Sequence, residues 1–427
     1  MRTIVGVNRE FRFDRSRVRE FLLGPVTHRE NGPGVPDLGR ARLGALLCVA
    51  TGVKAGVISY DEFSHEFANA GITLPIAGTR PSAYVGIPAI AFVLGATGNP
   101  TALKSAQRLF TTSGDFEIEA RLAELEAPSS SLATFRSYDL ISGAAGLILV
   151  RESLFATPQS ELRRRYALAL LRRSKAEAKN GESGLTVRSA PHVEFPRGVD
   201  GSHLNLGQAH GIVGILNFIL SVDDASRDDT LVQELVGVLT RKLLSFVTES
   251  HQGSWTAPRY ELLHSGRIGL PIPSMNMGWC YGKLSLVNAL ASAGLVMEDE
   301  YCIGRARTLL AELLSELTDR DPLGSLCLCH GLAAKWYLLE NVSCNLGSSC
   351  DDRVLHERDK VRSELLFEAE NTLARAAELG ESLTEGFLDG DSGMLLAAAL
   401  AMHPSLFENA EWRTLMCTPV SNKLRSE

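Results

Sequence analysis

The sequence predicts an all-α fold: a closed α/α toroid, a double ring of inner and outer helices, with one small β-containing insertion. A recurring unit is the first reason. A glycine, a small residue three positions on and an apolar run of about three turns follow one another along the chain. The unit occurs at Gly86 with Ala89, Gly143 with Gly146, Gly211 with Gly214, Gly282 with Ser285, Gly331 with Ala334 and Gly390 with Gly393. Its starts lie 57, 68, 71, 49 and 59 residues apart, each interval long enough for two helices and their loops. A seventh, degraded copy falls around 43–56. The second reason is that the runs after these glycines, such as 212–222 and 395–402, are apolar nearly all round, as in helices buried on most faces. The third is that the intervening stretches are amphipathic. In 230–248, Leu231, Leu235, Leu239 and Leu243 recur at spacing four beside Glu234, Arg241 and Lys242, and 305–317 and 360–379 read the same way. Small residues let the inner helices begin close to a shared central cavity.

The continuity of the repeat makes residues 1–427 one toroid domain. One segment breaks the helical pattern. In 184–205, Leu185, Val187, His192, Val193 and Phe195 alternate with polar groups between glycines and prolines, which predicts a short strand pair or a long loop at the cavity rim before His210. A loop is expected at 126–131 and a frayed tail at 418–427.

Composition excludes several classes. With 45% apolar and 22% charged residues the chain is expected to be soluble and globular. A net charge of -7, without a basic tract, argues against nucleic-acid binding. The first twenty residues are interrupted by Arg2, Arg9, Glu10, Arg12, Asp14, Arg15, Arg17, Arg19 and Glu20, so no secretory apolar core is expected there. Apolar runs such as 394–402 fall short of the roughly 20 residues a membrane span needs. These observations predict a cytoplasmic protein. Its eight cysteines, spread through a long chain, are expected as reduced thiols or metal ligands. Cys344 and Cys350 flank a polar loop without a third soft ligand beside them.

Chemistry concentrates just before two of the glycines. Trp279, Cys280 and Tyr281 precede Gly282, and Cys329 and His330 precede Gly331. Two thiolates and an imidazole are zinc ligands, and three protein ligands leave the fourth tetrahedral position for a water or a substrate thiol. At a helix N-terminus the exposed N–H groups and the macrodipole favour the thiolate, the form a metal binds. A ring fold aims both sulfurs at one cavity. His210, directly before Gly211, stands at the mouth of another inner helix, as a fourth ligand or an acid–base group. Asp139 lies four residues before Gly143 and brings a carboxylate to the same level, either for chemistry or as a helix cap.

Tyr138 and Asp139 before Gly143 and Gly146, then 206–211, 279–282 and 329–331, together resemble the lanthionine synthetase C family, in particular its stand-alone lantibiotic cyclases. The match runs from about Ser82 to His403 in the family's order. The resemblance implies an α/α toroid with one zinc ion per chain, held by Cys280, Cys329 and His330. It also implies addition of a peptide cysteine thiol to a dehydroalanine or dehydrobutyrine, closing a thioether ring. His210, Asp139 and Tyr281 are then the catalytic candidates, and Trp279 and Asn276 line the substrate. The implied partners are a dehydrated lantibiotic precursor with its leader, a dehydratase and an exporter, with peripheral attachment to a membrane-bound biosynthetic complex. Related readings are a zinc protein that adds glutathione to dehydroamino acids and a zinc- and thiol-binding scaffold without turnover. Two positions depart from the family pattern: Asn276 stands where an arginine is usual, and Ala334 where a second glycine is expected.

Overall fold

The computed structural model describes residues 15–27, 37–72, 80–127, 133–156, 161–175, 184–187, 202–221, 229–249, 255–256, 260–262, 277–316, 325–347, 350–407 and 411–419. Among the described residues, seven inner helices run Leu43–Lys54, Ile87–Gly95, Ala144–Phe155, Ile212–Leu220, Lys283–Met297, Leu332–Leu346 and Asp391–Met402. Between them run the outer helices, among them Pro100–Glu126, Glu161–Lys175, Thr230–Ser245, Glu300–Glu316 and Asp352–Leu379. Every residue of Ile212–Leu220 is buried, whereas Thr230–Ser245 buries only the side carrying Val232, Leu235, Val236, Leu239 and Leu243. The alternation read from the sequence is therefore one of layers. Asp391–Met402 packs against Leu43–Lys54, and Arg15–Thr27 packs outside both, so the ring closes on its first inner helix.

Each of the six glycines is the N-cap of its inner helix. The lead-in loop folds back over the helix start, and close approach of backbone to backbone is what the glycines allow. A Cβ on Gly146, Gly214 or Gly393 would collide with the carbonyl oxygen of Leu140, Gln208 or Phe387 respectively. In the same three units the amide of that glycine donates to a loop carbonyl seven residues back: Gly146 to Asp139, Gly214 to Gly207 and Gly393 to Gly386, at 3.3–3.4 Å. Ala334 keeps this bond, to Cys327 at 3.3 Å, so its departure from the family pattern leaves the turn intact. The seventh unit looked degraded because Arg42 replaces the cap glycine. Its buried guanidinium donates to the Ala70 carbonyl at 2.6 Å and pairs with Glu385 at 3.1 Å.

Neighbouring lead-in loops are joined through their backbones. Gln208 N donates to Cys280 O (2.8 Å), Cys280 N to Cys329 O (3.2 Å), Cys329 N to Leu388 O (2.9 Å), Leu388 N to Gly39 O (3.0 Å) and Leu38 N to Tyr84 O (2.7 Å). This belt links six of the seven units. Between the remaining unit and its neighbour, the Tyr138 hydroxyl donates to His210 O at 3.4 Å.

Two expectations need revision. Of the segment 184–205, residues 188–201 lie outside the described part, and the strand that is described, β1 (His203–Asn205), pairs antiparallel with a distant one, β4 (Tyr260–Leu262). A further strand pair joins β2 (Thr248–Glu249) to β3 (Trp255–Thr256). Val187 bridges Ala133 and His203. A strand of three residues needs a partner to satisfy its backbone, and here that partner is contributed from beyond the next helix pair. The tail is the second case. Thr418 and Pro419, expected to fray, are held by the inner helices, while 420–427 lie outside the described residues. The Pro419 carbonyl accepts from Asn345 (3.1 Å) and Ser292 (3.2 Å), and Thr418 donates to the Tyr337 hydroxyl at 2.8 Å.

Gly214→Ala and Gly393→Ala should each lose about 1 to 3 kcal/mol of stability by forcing loop from helix. Gly304→Ala, on an outer helix where a Cβ meets nothing within 4 Å, should gain about 0.5 to 1 kcal/mol. Denaturant midpoints read all three; an unmoved midpoint in both tight positions would show that the loop yields at no cost.

Candidate metal centre and acid–base pair

In all six glycine units the cap glycine is buried, while the residue just before it is half-buried or exposed. Those residues are Val85, Ser142, His210, Tyr281, His330 and Asp389. The register follows from the loop, whose neighbours on either side are tied into the helix start or the belt. That position stays partly open in all six, as do Ile141, Cys280 and Cys329 in the same loops.

Cys280 and Cys329 occupy equivalent places, two residues before their glycines, and the hydrogen bond between their backbones fixes one against the other. Their sulfurs and a ring nitrogen of His330 lie within 4.8 Å of one another. Ligands at zinc distances of about 2.0–2.3 Å sit about 3.3–3.8 Å apart in a tetrahedron, so small side-chain rotations close this set around an ion. The proton distribution prepares it. Hydrogen bonding from the Cys329 thiol, and more weakly from His330, brings the Cys280 thiol down to about 5 against the opposing effect of burial. Cys329 is pushed well above its ordinary value, because Cys280 already holds the thiolate and burial adds to the effect. His330 is raised by its hydrogen bond to Cys280, with burial opposing. The group thus holds one thiolate before any metal arrives, and a cation binding both sulfurs displaces the proton left on the other.

A second set was not foreseen. Cys327, His330 and Asp389 also lie within 4.8 Å of one another. Asp389 takes the same register before Gly390 that His330 takes before Gly331, and that parallel was the available signal. Its carboxylate accepts from Arg40 Nε at 3.1 Å.

Across the belt, His210 Nδ1 lies 2.5 Å from Asp139 Oδ2. A carboxylate only accepts, so Nδ1 carries the hydrogen, and Nε2 is where the ring gains or loses a proton. Asp139 is enclosed, its side chain 0% exposed against 14% for His210. It follows the short helix Phe135–Tyr138 and accepts from Ser142 N at 2.6 Å and from the Ser142 hydroxyl. The carboxylate therefore ties the loop ahead of the helix and orients the imidazole at once, while the helix itself is capped by Gly143. Phe135 packs on the His210 ring, with centroids 5.4 Å apart. Tyr281 is held by Asn205, whose Nδ2 donates to its hydroxyl at 2.9 Å, and its ring fills the space beside Gly207.

Trp279 is not at the rim. It is 0% exposed, with its indole N–H donating to Met416 O at 2.8 Å, and it braces the loop from below against the helix Trp412–Met416. Contact with a substrate, as expected for it, has no exposed surface to act through. Asn276 lies outside the described residues. Cys344 contacts Glu340 at 3.8 Å, and among the described residues neither it nor Cys350 joins a metal-binding set.

Fold and donor set together define a class: an α/α toroid whose inner-helix mouths present two cysteines and a histidine able to hold a metal. The family described as "Lanthionine synthetase C-like protein" matches residues 44–412, and the chain belongs to it. Among solved structures it is similar to nisin cyclase, with a TM-score of 0.66 and 15% identity over 94% of this chain and 97% of the other. At that identity the likeness is one of fold. No curated protein matches the sequence significantly. Among the described residues, no helix is long and apolar enough to cross a membrane.

Purified protein should contain one thiophilic metal ion per chain, zinc in the first instance. Cys280→Ala and Cys329→Ala should lose it and Cys327→Ala retain it, as read by elemental analysis; full retention in Cys280→Ala would remove that residue from the ligand set.

Proposed function

We propose that the chain is a zinc-dependent lanthionine cyclase, which adds peptide cysteine thiols to dehydroalanine or dehydrobutyrine and closes thioether rings in a dehydrated lantibiotic precursor. The observation that carries this reading is the placement of three soft ligands and a carboxylate-held histidine on successive lead-in loops of one ring. Family membership supports it, as does the fold shared with a protein named for cyclisation.

Cys280, Cys329 and His330 would hold the zinc. Bound there, the ion would supply Lewis acidity that keeps a substrate thiol ionised at neutral pH, where an ordinary cysteine near pKa ~8.5 is mostly protonated. The residues of the chain then manage one proton. Addition makes a C–S bond at the β-carbon and breaks the alkene π bond, and the resulting enolate must be protonated at its α-carbon. His210 is the proton carrier, because Asp139 fixes Nδ1–H and so presents Nε2 for exchange. Asp139 stabilises the imidazolium and does not itself need to reach the substrate. Tyr281, fastened by Asn205, shapes the space between metal and histidine. Thiol proton lost and carbon proton gained balance, so no redox partner or co-substrate is required.

The precursor would arrive from a dehydratase and leave through an exporter. Ring closure leaves the peptide mass unchanged while removing a thiol, so alkylation followed by mass spectrometry reads it. Protein and dehydrated precursor should give unalkylated product. His210→Asn should retain the metal and slow closure by about 10²- to 10⁴-fold. Loss of metal in that variant would place His210 among the ligands, and addition of glutathione without ring closure would favour a thiol-transfer protein.

A further inference from the structure

We infer that Arg121 is a positioning residue for the acid–base pair, its buried guanidinium holding the Asp139 loop and biasing the Asp139–His210 pair toward the deprotonated side. The inference rests on the cyclase reading for its catalytic consequence alone.

Arg121 belongs to the outer helix Pro100–Glu126 and is 1% exposed. Its Nη1 donates to the carbonyl of Gly143 at 3.1 Å and its Nη2 to that of Pro81. Gly143 is the cap onto which the Asp139 loop folds; a Cβ there would strike the backbone N and O of Asp139. The guanidinium thus grips the residue against which Asp139 rests, and the Asp139 charge helps keep it ionised. Burial brings Arg121 down to about 10, with Glu117 and Asp139 opposing the fall, so it stays a cation at neutral pH.

The other groups around Asp139 do not replace that charge. Tyr138 and Tyr166 are pushed well above the ordinary phenol value, by burial first and by the Asp139 charge next, and remain neutral. Ser142 supplies hydrogen bonds without charge. Glu117 pairs with Arg121 at 3.3 Å and with Arg136 at 2.6 Å, and Arg136 is one-third exposed, where water weakens its field. Arg121 is consequently a buried cation whose charge and that of Asp139 act on each other.

A purely structural clamp and an electrostatic one differ in what they do to titration. The readout is the pH midpoint of the His210 ring resonances in full-length protein labelled at histidine, assigned by their loss in His210→Asn. No substrate is needed, so the result is independent of whether rings are closed. Removing the cation in Arg121→Met should raise the midpoint by about one unit, the lower end of the effect of an adjacent opposite charge on a carboxylate. Arg121→Lys keeps the charge and should stay near the parent value. Glu117→Gln leaves the fork in place while removing its counter-charge, and should lower the midpoint by several tenths of a unit. An unmoved or raised midpoint in Glu117→Gln overturns the proposal even if Arg121→Met does not fold. An equal rise in Arg121→Met and Arg121→Lys overturns it too, because geometry and not charge would then be responsible.

Discussion

Close contact between each lead-in loop and the first turn of its inner helix is the constraint on which the rest of this structure depends. Backbone meets backbone there with no room for a side chain at the second glycine of three units. The folded-back loop then has its amides and carbonyls directed sideways, and neighbouring loops satisfy them in a belt from Gln208 to Tyr84. An unpaired buried amide or carbonyl costs about as much as a lost hydrogen bond, so each loop fixes the height and register of the next. Because the constraint acts on the backbone, side chains elsewhere can diverge. The fold is shared with nisin cyclase at 15% identity.

The same belt builds the chemistry. Cys280 and Cys329 are neighbours in space because the amide of one donates to the carbonyl of the other, although 49 residues separate them in the chain. His210, Tyr281, His330 and Asp389 share the position before a buried glycine, and each is left accessible. The two halves of the site are kept chemically distinct: soft donors exchange protons among themselves at one part of the rim, and an imidazole is locked to a carboxylate at another.

Below the rim the carboxy-terminal segment stabilises the ring from inside. Met416 O and Cys417 O accept from Gln208 Nε2, Met416 O also from the Trp279 indole, and Leu415 O from the Tyr84 hydroxyl. Buried carbonyls that cannot reach water need such donors, and on the inner helices Ser292 and Asn345 supply them to Pro419 O, with Asn345 donating to Asn288 as well. Trp279 belongs to this layer. Its place beside Cys280 in sequence means that the loop bearing this cysteine is anchored directly on the core.

Periodicity and local turn chemistry are short-range properties, and what they control was legible in the chain. The six cap glycines, the apolar inner runs, the one-sided outer helices and the placing of Cys280, Cys329 and His330 just before cap glycines all follow from residues a few positions apart. What depends on separation in space was not. The seventh unit hides its cap behind Arg42, whose role needs Ala70 and Glu385; β1 is a strand because of β4; Thr418 and Pro419 are ordered because of Asn345, Ser292 and Tyr337. Trp279 reads as a site residue by adjacency, yet its indole has a partner 137 residues away. Arg121 gives no sign in the sequence, since an arginine on an amphipathic helix is ordinarily solvated and only closure of the ring buries this one against Gly143. The sequence by itself determined which residue types stand at the helix mouths, because the glycine turn is local. Tertiary structure decided which of them meet and which charges they feel, because desolvation and pairing exist only once the ring is closed.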